Sequence, residues 1–445
     1  MSKLSEKIKG SSFWRSVASL SAGQIIAQAV NLALIPVISR LYGKEAYGDF
    51  GVVTSFAAIM MGVIGLGLGA AIMAADDQEE SEKVFRVCYI LQWILSTVLC
   101  AALLALSPVW QAFRTHLSYP LAVVLLYLYL NLSIHFSLMC VYVNRLGANR
   151  VLLVNPVLAA LCNMCITLPL GLLKMDAWGL FAANLTATAL ANLHMLNFQS
   201  PYKQRFRFKD VREVFIKFKE FVLYQYPANF MGTLSGNVPT QMLSGAFGLA
   251  ALGDYAMCNR VFGLPLQVIA QPIQTVYFRH AAAAQREGRD IARLTFSLVS
   301  KIMLIAFVPM VLGCAFADRI FAFVLGEKWR SAGTLAAVLA LPFLLNFVSS
   351  CVTYCRVVIG RQKMNLMVTA VHIVLVLSAL TLGIAHFGTM FAAVACYAVA
   401  ETLYGVLNLY LNFYCLKRYA GKFLAFVAGY LALSGGAVFA LMNIL

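Results

Sequence analysis

Long apolar stretches are the feature that most constrains what this chain can fold into. A helix needs about 20 apolar residues to cross a bilayer. Thirteen segments of that length follow one another through short connections: 13–39, 48–75, 85–107, 118–143, 151–173, 177–198, 220–246, 254–279, 294–317, 331–355, 366–386, 389–415 and 423–443. Only 12% of the residues are charged, against about 25% in a soluble domain. The sequence therefore predicts an all-α polytopic membrane protein.

The basic residues predict how the chain crosses the membrane. The net charge is +16, but the Lys and Arg residues lie in short runs between apolar segments, so we expect no nucleic-acid partner. With the N-terminus inside, 25 of the 34 lie on the cytoplasmic side and 7 on the other. Positive residues favour the cytoplasmic side of short loops. We therefore predict a multi-pass membrane protein with a cytoplasmic N-terminus.

The basic linker at 203–219 carries a second pattern. Phe208, Val211, Phe215 and Phe218 recur at steps of three and four residues, with Lys and Arg between them. This spacing is typical of an amphipathic helix, and we expect that helix to lie on anionic lipids of the inner leaflet. A plain basic linker would explain the charge but not the phenylalanine stripe.

An internal repeat relates the two halves of the chain. The sequence around 41–50 returns at 246–255, that at 147–150 returns at 360–363, and that at 178–179 returns at 387–388. Six segments separate the copies, and an even number makes both halves enter the membrane from the same side, as parallel repeats do. We predict six-helix lobes at 1–198 and 220–415 around a central cleft, a linker at 199–219, and an extra C-terminal helix in 416–445.

Several short motifs resemble a known family. They are Gly23-Gln24, Pro36, Arg40-Leu41-Tyr42-Gly43 and Tyr47-Gly48, the acidic run 76–80, the segment 325–329 and the segment 259–265. Together they are similar to the polysaccharide transporters of the multidrug/oligosaccharidyl-lipid/polysaccharide exporter superfamily, in the Wzx-type flippase branch.

The resemblance implies twelve core helices, alternating access and a cargo of undecaprenyl-pyrophosphate-linked oligosaccharide, such as an O-antigen or capsule repeat unit. It also suggests a polysaccharide polymerase and glycosyltransferases of the same pathway as partners. Neither a catalytic residue nor a cofactor is expected. Cys162 and Cys165 form a CxxC without a second pair at ligand spacing, so no metal site is expected either.

Charged residues inside predicted spans are candidates for a transport site, because a charge in the bilayer needs a cavity or a partner. Arg260 lies in such a segment, and its planar guanidinium matches a pyrophosphate. Lys301 and Arg40 are further cleft candidates. For all three, the alternative is a side chain that extends to the lipid headgroups at a helix end.

The remaining candidates are one acid, one histidine and several amides. Glu401 lies deep in the segment 389–415, where a carboxylate could couple transport to protons or sodium, and His372 could share that role. Either could instead be a structural hydrogen-bonding group. The amides Gln24, Asn31 and Gln241 could line the sugar path or bridge helices.

Two other functions fit the composition. A membrane polymerase, ligase or glycosyltransferase of the same pathway would need longer outer loops with catalytic acids, whereas the predicted outer loops are about a dozen residues long. A drug or cation exporter of the same superfamily would favour a cavity rich in acids. The balance of Arg260 and Lys301 against one deep glutamate favours an anionic lipid, so we expect a transporter and not an enzyme.

Overall fold

The computed structural model describes residues 23–65, 68–105, 119–196, 206–219, 222–223, 226–361 and 363–444. The N-terminus through residue 22, which includes the start of the first predicted span, and linker residues 199–205 lie outside the described residues. The helices are α1 Gly23–Leu41, α2 Lys44–Ile64, α3 Gly69–Ala74, α4 Gln78–Ala105, α5 Tyr119–Arg145, α6 Asn149–Leu172, α7 Asp176–His194, α8 Phe208–Lys217, α9 Tyr226–Pro265, α10 Gln271–Arg286, α11 Ile291–Leu325, α12 Arg330–Cys351, α13 Cys355–Val358, α14 Lys363–Leu382, α15 Met390–Cys415 and α16 Ala420–Ile444.

This architecture is that of a multi-pass membrane protein. Within the described residues, ten helices are long and apolar enough to cross a bilayer. Large apolar side chains point outward on them: on α11, Phe323 is 84% and Ile305 78% exposed. Lipid tails can cover such surfaces, which water could not solvate without cost. The predicted all-α polytopic class is confirmed.

Glycine and proline shape the longest helix. Within α9, Gly248 adopts φ +81°, a conformation that side-chain-bearing residues rarely reach. It splits α9 into residues 226–247 and 249–265. These two parts overlap in sequence with the predicted spans 220–246 and 254–279. Pro265 ends the second part and is followed by a π-helical turn, Leu266–Ala270. Since proline lacks an N–H, it disturbs the regular hydrogen-bond ladder at this point.

The chain divides between Asn237 and Val238 into an N-terminal and a C-terminal unit. This division lies inside α9, and the lobe boundaries inferred from the sequence stay a prediction. In the N-terminal unit α4 packs on α5, α5 on α7 and α6 on α7. In the C-terminal unit α11 packs on α12, α12 on α15 and α14 on α15. In each unit the third spanning helix therefore packs on the fourth, the fourth on the sixth and the fifth on the sixth. An internal repeat requires this correspondence.

Glycines test the anchors of the repeat one by one. Gly147 and Gly360 occupy corresponding turns and have φ values of +71° and +70°, so this pair is equivalent in backbone as well as in sequence. The pair Gly179 and Gly388 is not equivalent. Gly388 lies in the turn before α15 with φ +63°, whereas Gly179 lies within α7.

Asp49 and Asp254, which the repeat relates, each follow a glycine. Such a position predicts a helix N-cap, but neither residue begins a helix. The helix α2 begins at Lys44, so Asp49 lies inside it and is only 3% exposed. Asp254 is 7% exposed and accepts a hydrogen bond from the Ser331 hydroxyl at 2.8 Å. Both carboxylates are therefore buried between helices.

The linker helix is present as α8, and its stripe is unevenly buried, with Val211 and Phe215 half-buried. Its contact with anionic lipids stays a prediction. Val214 and Phe218 are buried, whereas Phe208 is 83% exposed. Lys217 donates to Asp76 at 2.7 Å and also to Glu80, and this contact lowers the pKa of the Asp76 carboxyl. Since α8 packs on α4, the helix is held by ion pairs and apolar contacts in the N-terminal unit.

Candidate functional site

Polar side chains follow one face of α15 in the C-terminal unit. Tyr397, Glu401, Tyr404 and Asn408 are spaced by four, three and four residues, which places them on one side of a helix. We call these four residues the α15 polar stripe. From its first to its last residue it extends about 16 Å at 1.5 Å per residue. That is about half of the hydrocarbon thickness of a bilayer.

The centre of the stripe is a contact between a histidine and a glutamate on two helices. His372 on α14 lies with its Nε2 atom 2.7 Å from Oε1 of Glu401. Their side chains are only 14% and 12% exposed. A carboxylate and an imidazole at this distance can share or exchange one proton, and their low exposure limits competition from water. Of the predicted site residues, these two are brought together by the structure.

Two tyrosines contact the pair, one at His372 and one at Glu401. The ring of Tyr404 stacks on His372 with a centroid distance of 3.7 Å and an interplanar angle of 12°. On the other side, the Tyr397 hydroxyl interacts with Glu401 and with the Tyr255 hydroxyl. The imidazole ring is therefore held flat against one tyrosine, while the carboxylate has a second partner.

Glycines allow the helices of the site to approach closely. A Cβ atom on Gly405 would lie 2.7 Å from Cβ of Leu345 on α12. A Cβ atom on Gly383, in the π-helical turn Gly383–Phe387 after α14, would lie 2.7 Å from the Cα atom of Ala393. Small residues at such contacts let membrane helices pack backbone against backbone. This close packing sets the short distance between α14 and α15.

The other predicted site residues lie on several helices. On α1, Gln24 and Arg40 are exposed, and Asn31 is half-buried. These three belong to the N-terminal unit. Their role in a transport path is untested by these positions and stays a prediction.

In the C-terminal unit, Gln241 and Arg260 are half-buried on α9, and Lys301 is exposed on α11. Arg260 lies twelve residues after the Gly248 break, so it is further from the helix end than the sequence suggests. It also lies one turn before Pro265 and the π-helical turn. Irregular helical turns of this kind are frequent at functional sites.

Sequence reasoning missed three residues of the α15 polar stripe, Tyr397, Tyr404 and Asn408. It also missed Arg356, which contacts the stripe at Asn408. The helical spacing on α15 could have indicated the first three. Arg356 follows the predicted span 331–355 and is one of the basic residues that we count on the cytoplasmic side. It is only 6% exposed and donates from Nη2 to Oδ1 of Asn408. In the described part of the chain, no group of three His, Cys, Asp or Glu side chains is placed to hold a metal ion.

Comparison with known proteins decides the family. A family model described as "Polysaccharide biosynthesis protein" matches residues 37–334. The chain belongs to this family. A curated relative is the teichuronic acid biosynthesis protein TuaB of Bacillus subtilis (strain 168). It is 22% identical over 355 residues, which cover 78% of this chain and 70% of the relative. The polysaccharide-transporter resemblance inferred from the sequence is thereby confirmed.

Solved structures share the fold of this family member. The lipid II flippase MurJ in an inward closed conformation matches with a TM-score of 0.71 at 12% identity, covering 96% of this chain and 97% of that one. An inward-facing MATE-family multidrug resistance transporter of the MOP superfamily matches with a TM-score of 0.64 at 16% identity, covering 92% and 99%. At these identities the likeness concerns the fold, which is that of a membrane transporter.

Proposed function

We propose that this member of the polysaccharide biosynthesis family is a flippase. Its cargo is an oligosaccharide repeat unit linked to undecaprenyl pyrophosphate, moved across the cytoplasmic membrane by alternating access. The observation that carries the proposal is the combination of a polysaccharide-biosynthesis family match over 37–334 with a fold shared with a lipid II flippase. Teichuronic acid biosynthesis, named for the relative TuaB, extends the polymers considered beyond O-antigen and capsule.

An anionic cargo agrees with the charged residues of the spans. Arg260 is half-buried on a helix interrupted by a π-helical turn, and a guanidinium there can bind a pyrophosphate oxygen pair. Lys301 and Arg40 are exposed cations on two further helices. In this proposal Arg260 contacts the pyrophosphate, and the two others contribute positive potential.

The ion pair of His372 and Glu401 is the proposed coupling site. A carboxylate beside an imidazole binds a proton readily and releases it when its surroundings change. A sodium ion would need several oxygen ligands, whereas the partner of Glu401 at 2.7 Å is a nitrogen atom. We therefore propose proton coupling, with binding and release of a proton at this pair biasing the alternating-access equilibrium.

Complementation tests the function directly. In a flippase-deficient strain that has all other enzymes of the pathway, this protein should restore surface polysaccharide. Lipid-linked repeat units should then be present on the outer leaflet of the cytoplasmic membrane. A strain expressing Glu401→Gln at the same membrane level is the matched control, and it should leave the repeat units on the inner leaflet.

The same assay separates flippase from polymerase. Loss of a flippase leaves lipid-linked single repeat units on the cytoplasmic leaflet, whereas loss of a polymerase leaves them on the outer leaflet. Rescue of polymer length in a polymerase-deficient strain, without any effect on repeat-unit sidedness, would contradict the proposal. Export of cationic drugs without rescue of the flippase-deficient strain would favour a drug exporter.

A further inference from the structure

Arg356 lies on a well-ordered turn at one end of the C-terminal unit. It belongs to α13, a single helical turn between α12 and α14. The Cys355 N–H donates to the Val352 carbonyl at 2.9 Å, and the Arg361 N–H donates to the Arg356 carbonyl at 2.8 Å. These backbone bonds fix the turn, and the Arg356 side chain is only 6% exposed.

The hydrogen-bonding capacity of this guanidinium is largely unused. An arginine side chain carries five N–H donors. Within the part of the chain that the structure describes, Nη2 donates to Asn408, whereas Nε and Nη1 have no acceptor. Since Nε bears one hydrogen and Nη1 two, at least three of the five donors are unfilled. Buried donors without acceptors are rare and call for a partner.

The positive charge of Arg356 is also uncompensated. The ionisable groups that face it are Tyr404, Cys355 and Cys415, and none of them is a carboxylate. No ion pair joins it to a carboxylate of the described residues. A guanidinium does not lose its proton in proteins, and a buried unpaired charge is unfavourable. The site therefore needs an anion.

An arginine near the corresponding turn of the N-terminal unit provides a contrast. Arg145, just before Gly147, donates from Nη1 to the carbonyls of Ile72 and Met73 at 3.0 and 3.1 Å. It also donates from Nη2 to the carbonyl of Asp77 at 2.8 Å. The protein itself thus supplies the acceptors of that guanidinium. At Arg356 it supplies one.

We propose that Arg356 is the centre of a phosphate-binding site at the end of the C-terminal unit where α12 ends and α14 begins. Its planar group of unfilled N–H donors matches the oxygens of a phosphate, and Asn408 fixes its orientation. Two sources offer this chemistry. One is inorganic phosphate, and the other is the phosphate headgroup of an anionic lipid.

Thermal unfolding of the purified full chain tests the site. In one arm the protein is kept in a phosphate-free sugar detergent and titrated with inorganic phosphate, against sodium chloride at equal ionic strength. In the other arm it is placed in phosphatidylcholine nanodiscs with or without phosphatidic acid. A ligand that binds only the folded state raises its stability in a saturable way. We expect this response in at least one arm, and the responding arm identifies the source.

Substitutions then assign the response to Arg356. Arg356→Met keeps the length of the side chain but removes the charge and all donors, so phosphate affinity should fall at least tenfold. Without phosphate, this variant should be at least as stable as the wild type, because it removes an unpaired buried charge. With phosphate, the order should reverse. Arg361→Met, a change in an exposed arginine of the same turn, is the matched control and should respond like the wild type.

Three results would overturn the proposal. One is a wild type that responds to neither phosphate source, or to chloride as strongly as to phosphate. The second is an equal response by Arg356→Met and the wild type, and the third is an equal loss in Arg361→Met. If Arg356→Met does not fold, Arg356→Lys serves instead and should keep a weakened response, while the wild-type titration alone still decides whether phosphate binds.

Discussion

Replacing Glu401 by glutamine separates the proposed coupling role of the His372–Glu401 pair from a structural role. The amide has the same shape as the carboxylate and can still accept a hydrogen bond from His372 Nε2, which now lies 2.7 Å from Oε1. What it loses is the charge and the ability to bind and release a proton. Glu401→Leu removes the hydrogen bonds as well and leaves His372 unpaired.

The geometry gives different costs for the two variants. Glu401→Gln replaces a charge-assisted hydrogen bond by a neutral one, which should cost about 1 kcal/mol of the free energy of unfolding. Glu401→Leu breaks a pair whose side chains are only 14% and 12% exposed. Leaving the His372 nitrogen without its hydrogen-bond partner should cost about 1–3 kcal/mol. The glutamine variant should therefore accumulate in the membrane close to the wild-type level.

Glu401→Gln should reduce transport strongly although it changes stability little. We expect Glu401→Gln to reduce polysaccharide export in a flippase-deficient strain at least tenfold at matched membrane abundance. In proteoliposomes, the residual activity should no longer depend on an imposed pH gradient. Wild-type export by Glu401→Gln, with the same dependence on the gradient, would refute coupling at this carboxylate. The ion pair would then be a purely structural contact between α14 and α15.

Three further predictions concern other parts of the chain. Arg260→Ala should abolish export and Arg260→Lys should retain part of it, because lysine keeps the charge but not the paired donors; wild-type export by the alanine variant would remove Arg260 from the site. In a cysteine-depleted chain, a cysteine at Lys209 should be protected from an impermeant thiol reagent in intact cells and one at Lys328 should react, whereas labelling at 209 would reverse the topology. The packing of α8 on α4 should be stable at pH values above the ordinary aspartate pKa of 3.8. It should weaken as the pH falls through the lowered pKa of Asp76. Hydrogen exchange in α8 measures this loss, and Lys217→Met, which lacks the ion pair, should show high exchange already at neutral pH.

Much of the architecture could be predicted because its causes are local in the chain. The length and apolarity of each segment decide whether it can cross a bilayer, and the Lys and Arg residues beside it bias its direction. Each of the thirteen predicted spans overlaps in sequence with one or more helices of the described residues, and the two parts of α9 overlap with two different spans. Glu401 and His372 could be singled out for the same reason, since an ionisable group in an apolar segment is conspicuous by itself.

What the sequence could not decide was which polar groups meet. That depends on the rotation and height of each helix relative to its neighbours, which are set by contacts such as Gly405 against Leu345 and Gly383 against Ala393. These contacts lie between different helices, so no single segment of the sequence specifies them. They bring His372 to Glu401 and leave Arg356 buried beside Asn408. The position of Arg356 in the sequence, among basic residues between two predicted spans, gave no information on that burial.

The sequence by itself determined the class of protein, its helices and its family, because apolar length and charge act over one helix at a time. Tertiary packing alone decided the chemistry of the site. It buried Asp49 and Asp254, and it packed α8 against α4. The physical reason is that burial and partnership are properties of surfaces in contact, and only the packed helices create those surfaces.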